Sequence, residues 1–323
     1  MLWIARLTVA AAISAAVAGS VSAAPLNFGD VFAAVSNGTV NQYSNGGVFI
    51  QTLNTGQGGF TTGMAVDSAG NLNVTNFSAG NITRFKPDGT ILAPNPFISP
   101  GSSPESIVFD ASGQMYVGRA GASFQRYSAT GVLQQTYSTP VNTDWLDLAS
   151  DQKTMFYNDE SGQIRRWDAS TNTALTDFAN NTAHGGSSSF ALRILPNGHV
   201  LSAAGLITIE YDAAGNVVTT YDVPATDSFF ALNLDPDGTS FWTGDISSGK
   251  LYKFAIGGAV PTTTIATGAG GSLFGVAVYG EVTAGCGTNC GGTTSTPEPA
   301  SMTLLGVGLV ALLARRRKTR QEG

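Results

Sequence analysis

Between residues 24 and 282 no apolar position recurs at helical spacing for long enough to predict an amphipathic helix. Short β-branched and aromatic runs stand there instead, cut by Gly, Asn-Gly and Asp-Gly, as an all-β domain requires. One run recurs: Val40-Asn-Gln-Tyr43, Ile82-Thr-Arg-Phe85, Phe124-Gln-Arg-Tyr127, Ile164-Arg-Arg-Trp167, Thr208-Ile-Glu-Tyr211 and Leu251-Tyr-Lys-Phe254. Its aromatics are 40–44 residues apart, a period that defines six units. The run marks a strand end entering its turn. A second run lies 16–19 residues before five of those aromatics, as in Gly63-Met-Ala-Val-Asp67-Ser-Ala-Gly70 and Ala231-Leu-Asn-Leu-Asp235-Pro-Asp-Gly238. Its continuous apolar character predicts a strand buried on both faces, and its Gly closes a hairpin turn.

The first unit lacks that buried strand, and Gly275-Val-Ala-Val-Tyr279 supplies it after the sixth. A linear solenoid has no use for such a split. A ring does, because one blade built from both chain ends closes it and leaves no exposed edge. The expected fold is a six-bladed β-propeller over residues 24–282 with four strands per blade, closed by a blade shared between the two ends. The copy Gly63-Met-Ala-Val-Asp-Ser-Ala-Gly-Asn-Leu-Asn-Val74, followed by Ile82-Thr-Arg-Phe-Lys-Pro-Asp-Gly89, resembles NHL-type propellers. That resemblance implies a fold and no activity, since the same fold carries binders, lyases and lactonases.

In a propeller the innermost strands line a central channel. Five positions before the Asp67 column lie Thr62, Glu105, Trp145, Phe190, Phe230 and Phe274, with Asp144 one position earlier in its unit. These residues are the candidate ligand-binding set at the channel mouth. Read as a funnel, they offer aromatic faces and two carboxylates to a sugar ring or a similar flat group. Read as packing, the rings wedge where adjacent blades meet. No catalytic residue is assigned. His184 and His199 are the two histidines of the chain, and neither belongs to a recognisable Asp-His-Ser arrangement. A metal-dependent lactonase or a lyase with its site at the channel mouth is the alternative. Glu105, Asp144, Asp147 and Asn233 are the candidates for the inward-facing ligands of the six-bladed lactonases, but the matching strand entries are apolar and no complete set can be placed residue by residue. No metal or other cofactor is expected.

The ends change the picture. Residues 1–23 carry one cation (Arg6), an apolar run from Leu7 to Gly19 and small residues at Val21 and Ala23, the pattern of a signal peptide cut before Ala24. A Gly- and Thr-rich linker at 283–296 leads to a tail at 297–323. There Pro297-Glu298-Pro299 precedes an apolar stretch from Ala300 to Ala314 and the cluster Arg315-Arg-Arg-Lys318. A helix over that stretch is about 22 Å long, short of the roughly 30 Å hydrocarbon core, with snorkelling arginines making up part of the gap. The basic end stays cytoplasmic by the positive-inside rule. This tail resembles the PEP-CTERM sorting signal. The resemblance implies an exosortase as processing partner and an exported chain, tethered to the inner membrane through the hydrophobic helix, then placed at the cell surface or released.

The whole chain carries a net charge of −6. Residues 24–299 keep 10 Lys+Arg and 21 Asp+Glu, about −11, which argues against nucleic acid and anionic lipid surfaces as partners. Cys286 and Cys290 lie in the linker. A small-loop disulfide is the expected use of the pair in an oxidising compartment. The expected role is a non-enzymatic binding or scaffold module in an extracellular matrix or exopolysaccharide layer, with exopolysaccharide or another surface protein as partner.

Overall fold

The computed structural model describes residues 23–284, apart from Ser102, Thr226 and Asp227. The signal peptide, both cysteines and the sorting tail therefore lie outside the described residues. Six antiparallel sheets stand around one axis, and a 3₁₀ turn at Asn181–His184 is the one helix among the described residues. Blades are numbered here by the unit whose aromatic they contain.

The first blade runs outward from the axis as Gly275–Val278, Val31–Ala34, Thr39–Tyr43 and Phe49–Asn54. Its inner strand comes from the far end of the chain, with Ala34 opposite Gly275 and Val31 opposite Val278. The ring is closed as the repeat pattern predicts. The inner strands of the other blades are Thr61–Val66, Pro104–Phe109, Trp145–Leu148, Leu192–Ile194 and Phe229–Leu234. Each packs on the inner strand of the next blade, and the sixth packs on the first.

Turn chemistry at the end of these strands repeats. In the second blade the Asp67 carboxylate accepts the Ala69 and Asn71 amides, and Gly70 takes a φ of +81° to close the hairpin. An Asp side chain offers that local bond and Gly tolerates that backbone, which is why Asp-x-x-Gly recurs. The six repeated aromatics, Tyr43, Phe85, Tyr127, Trp167, Tyr211 and Phe254, are all buried at the ends of third strands.

The outer edge is less regular than the repeat implies. In the second blade the fourth position is held by residues 90–98, which bridge the third strand at Ile91 and Ile98 only. Pro94 and Pro96 fall between those bridges and have no amide to give to a ladder. In the fourth blade the outer strand is split into Thr173–Ala174 and Ala179–Asn180.

All inner strands run the same way through the ring. Their first residues define a mouth face and their Asp-x-x-Gly turns a lower face. After Val278 the chain turns at the lower face, where Glu281 meets Arg193 and residues 282–284 pass over the fourth and fifth blades. The last described residue, Ala284, therefore lies on the side opposite the mouth.

Candidate functional site

Three of the six inner strands carry a β-bulge at the mouth. Pairing skips between Pro104 and Ser106, between Phe229 and Ala231, and between Thr61 and Met64. The residues released from pairing are Glu105, Phe230, Thr62 and Gly63. A bulge re-aims the side chain it frees, and bulges collect beside functional sites for that reason. Small residues beneath this level let the blades close up. A Cβ on Gly63 would run into the Glu105 carbonyl, and one on Gly275 into the Thr62 carbonyl.

The rings anticipated from the sequence meet one another. Phe230 is the hub: its centroid lies 4.7 Å from Phe190, 6.2 Å from Trp145 and 6.3 Å from Phe274. Phe274 in turn packs at 4.6 Å against Phe60, a residue outside the repeat column. Phe60 lies two residues before Thr62, so a period of two along the strand approach was the signal that could have found it. The resulting arc draws rings from blades two, one, six, five and four in that order. Exposure grades along it: Trp145 is 1 % and Phe230 9 % exposed, Phe190 and Phe274 are half-buried, and Phe60 is 43 % exposed. Trp145 and Phe230 sit at the packed base, and Phe60, Phe274 and Phe190 present surface. Thr62 is buried, with its hydroxyl 2.7 Å from Thr75 Oγ1 and 3.3 Å from the Pro104 carbonyl.

The arc leaves out blade three, and acids gather there and at the adjoining edge of blade four. Glu105 and Asp144 are 5 % and 3 % exposed. Burial pushes the Glu105 carboxyl well above the usual range, and repulsion from Asp144 and Glu160 adds to the rise. Asp144 is pushed up to about 7, first by burial and then by Glu160 and Asp159. Two neighbouring buried carboxyls cannot both ionise cheaply. Glu160 stands exposed at the rim with a φ of +64°, and burial and the Asp159 charge raise its carboxyl too. Arg165 is committed to Asp159 at 2.6 Å.

Beside the acids, several buried polar atoms have no hydrogen-bond partner among the described residues. They include Asp144 Oδ1, Trp145 Nε1, Asn158 Oδ1 and Ser189 Oγ. The four are neighbours: Asn158 pairs with Trp145 across the fourth blade, and its side-chain amide donates to the carbonyl of Phe190, next to Ser189. Buried polar groups ordinarily find partners, which sets these four apart from the bonded polar groups around them.

Of the four residues of the alternative reading, Glu105 and Asp144 stay at the mouth and the other two go elsewhere. Asp147 and Asn233 lie lower in the channel and serve the backbone, Asp147 accepting the Ile194 amide and Asn233 the Val278 amide. His199 contacts Glu210, which also binds the Tyr221 hydroxyl, and His184 packs edge-on to Tyr211. Among the described residues no group of three or more His, Cys, Asp or Glu is arranged to hold a metal ion. A cavity of about 480 Å³ lined by Phe156, Ile194, Pro196 and Val282 lies on the lower face, away from the mouth.

Fold and tail together define the class: an exported, surface-sorted chain whose described part is a six-bladed propeller. Residues 295–318 match the PEP-CTERM protein-sorting motif, so the tail is a sorting signal of the kind that exosortases process. No curated protein matches the chain by sequence. Solved propellers share the fold at low identity. A chain of a nidogen/laminin complex superimposes with a TM-score of 0.64 at 13 % identity, covering 77 % of this chain and 97 % of that one. The WD40 β-propeller domain of Doa1 does so at 0.58 and 16 %, covering 76 % and 82 %.

Proposed function

We propose that the protein is a non-enzymatic binding module of the cell-surface or exopolysaccharide layer, with its ligand site at the channel mouth. The observation that carries this reading is the graded aromatic arc on the face opposite Ala284, which leads on to the sorting tail. Aromatic faces stack on the apolar faces of sugar rings and cost little entropy to hold in place. A tether on the lower face leaves the mouth free to meet a ligand while the chain is anchored. The bulges that free Glu105 and Phe230 are costly to a ladder and unnecessary for a plain scaffold.

The test is binding of the purified protein to exopolysaccharide from the producing cells, compared with Phe60→Ala and Phe274→Ala. Retention by the parent protein and loss of retention in both variants, at unchanged melting temperature, is expected. Equal retention of all three proteins would remove the mouth as the site. For the tail, replacing Pro297-Glu298-Pro299 by alanines should leave the chain membrane-bound. Normal release of that variant would break the assignment of an exosortase as its processing partner.

A further inference from the structure

Among the described residues, Glu105 and Asp144 at the mouth have no basic residue paired with them. Four carboxyls, Glu105, Asp144, Asp159 and Glu160, gather at blades three and four. Of the nearby cations, Arg165 is paired with Asp159, and Arg119 turns its guanidinium to the Pro100 carbonyl and the Ser123 hydroxyl rather than to either carboxyl. No basic group is among the causes that set the Glu105 or Asp144 carboxyls. A neutral sugar would leave this arrangement without a purpose, since burying two carboxyls without a counter-charge costs stability and contributes nothing to stacking.

Rings flank the acids on both sides. Thr62, two residues from Phe60, touches Pro104, the neighbour of Glu105. Trp145 follows Asp144 and reaches Phe190 through Asn158 and Phe230. A cation placed between them meets carboxylates at one end and aromatic faces around it, the pattern that recognises organic ammonium groups. The unpartnered atoms require more than an ammonium. Trp145 Nε1 is a donor, Asn158 Oδ1 an acceptor, and Ser189 Oγ either, all on residues more than nine-tenths buried. A ligand that satisfies them carries hydroxyls as well as a positive charge.

Building on the proposed polysaccharide-binding role, we propose that the mouth takes a protonated amino sugar: the Glu105–Asp144 pair receives the ammonium, Phe60, Phe274 and Phe190 stack on ring faces, and Trp145 Nε1 and Ser189 Oγ meet hydroxyls. An ammonium beside the carboxyl pair favours its ionised form, so binding draws a proton off the pair.

The experiment is calorimetry on the full-length protein in detergent with a water-soluble glucosamine oligomer, its N-acetylated counterpart, a glucose oligomer of equal length and free glucosamine. The glucosamine oligomer should bind at least about tenfold tighter than the N-acetylated one, about 1.4 kcal/mol, and the preference should shrink in high salt. Its heat should depend on the buffer's ionisation enthalpy, as proton release requires. Free glucosamine binding as well as the oligomer places the recognition in one residue, and weaker binding places it in a chain; either agrees with the proposal provided the ammonium preference holds. In Glu105→Gln with Asp144→Asn the preference should vanish. Should that double variant fail to fold, Asp144→Asn alone must reduce the preference.

Equal affinity for the amino and N-acetylated oligomers overturns the amino-sugar inference while leaving the binding-module reading intact. So does a preference that survives the carboxyl substitutions or ignores salt. Failure of every glycan to bind overturns both.

Discussion

The two ends of the channel bury the same chemical group in opposite ways. At the lower end Glu281 accepts Arg193 Nε at 2.8 Å and the Leu234 amide at 2.9 Å, and Arg193 also donates to the Leu192 carbonyl. Asp147 joins them, taking the Ile194 and Leu148 amides. Each carboxylate there answers a cation or a backbone amide, and the cluster ties the last stretch of chain to blades four, five and six. At the mouth, Glu105 and Asp144 face each other with no cation, and Asp144 Oδ1 has no partner. A buried carboxyl held by a complete set of partners belongs to the fold. One held against its own kind, beside unanswered donors and acceptors, is what the proposed ligand site accounts for.

The comparison breaks first at Arg193. Arg193→Met leaves Glu281 and Asp147 buried with their counter-charge gone, and breaking a buried pair from one side costs about 3–5 kcal/mol. A melting curve should show a large fall in midpoint. A fall of a degree or two would mean that the lower cluster is as unanswered as the mouth. Trp145→Ala tests the base of the arc in the same way. The ring is buried against Phe230, so the cavity should cost about 3–5 kcal/mol of folding free energy. If stability holds and only ligand binding falls, Trp145 belongs with the exposed rings and the graded picture of the arc is wrong.

A smaller effect is read by pH, and both ends share it. An acid whose carboxyl is raised in the folded state keeps its proton where the unfolded chain has lost it. Its burial therefore costs more as pH rises from the unfolded value near 4 to the folded value. Asp144, raised to about 7, should make the protein lose stability across that window. Asp147, raised to about 7 by burial against the pull of Arg193, adds a share of its own. Asp144→Asn should flatten part of the slope and stabilise the protein at pH 8 by roughly 2 kcal/mol, a discounted share of what such a shift represents. Denaturant unfolding from pH 4 to 8 measures both slopes. Parallel curves would show that Asp144 ionises freely in the folded chain.

The ring was legible because its signal is periodic. Tyr43 to Phe254 repeat at one place in each blade, and the stray strand Gly275–Val278 had a single vacancy to fill. Glu105, Asp144 and four rings of the arc were legible for the same reason, since one column of the repeat maps to one level of the channel. What broke the period was harder to see. Pro94 and Pro96 disturb only the outermost strand, which no repeat motif marks. The bulges at Glu105 and Phe230 leave no trace in composition. Arg193 and Glu281 stand 88 residues apart, and Glu281 lies past the last repeat, so only the closed ring brings them together. Phe60 lies outside the column and was missed, yet it is the most exposed ring of the arc.

That position makes Phe60 the most discriminating substitution. Its ring rests on Phe274 with 43 % of its surface free, so Phe60→Ala removes little buried area. Surface changes of this kind usually stay within about 0.5 kcal/mol of the parent stability. If the mouth were only packing between blades, nothing else would change. If it stacks on a ligand, affinity should fall by roughly 1–3 kcal/mol, the scale measured for aromatic stacking on flat rings. A melt and a titration on this one variant therefore read the two roles separately. Trp145 cannot give that separation, because its removal disturbs fold and site at once. A Phe60→Ala protein that melts like its parent and binds the glucosamine oligomer equally well would confine the arc to the fold. One that melts alike but binds weakly would place the ligand on the exposed end of the arc, beside the unanswered acids.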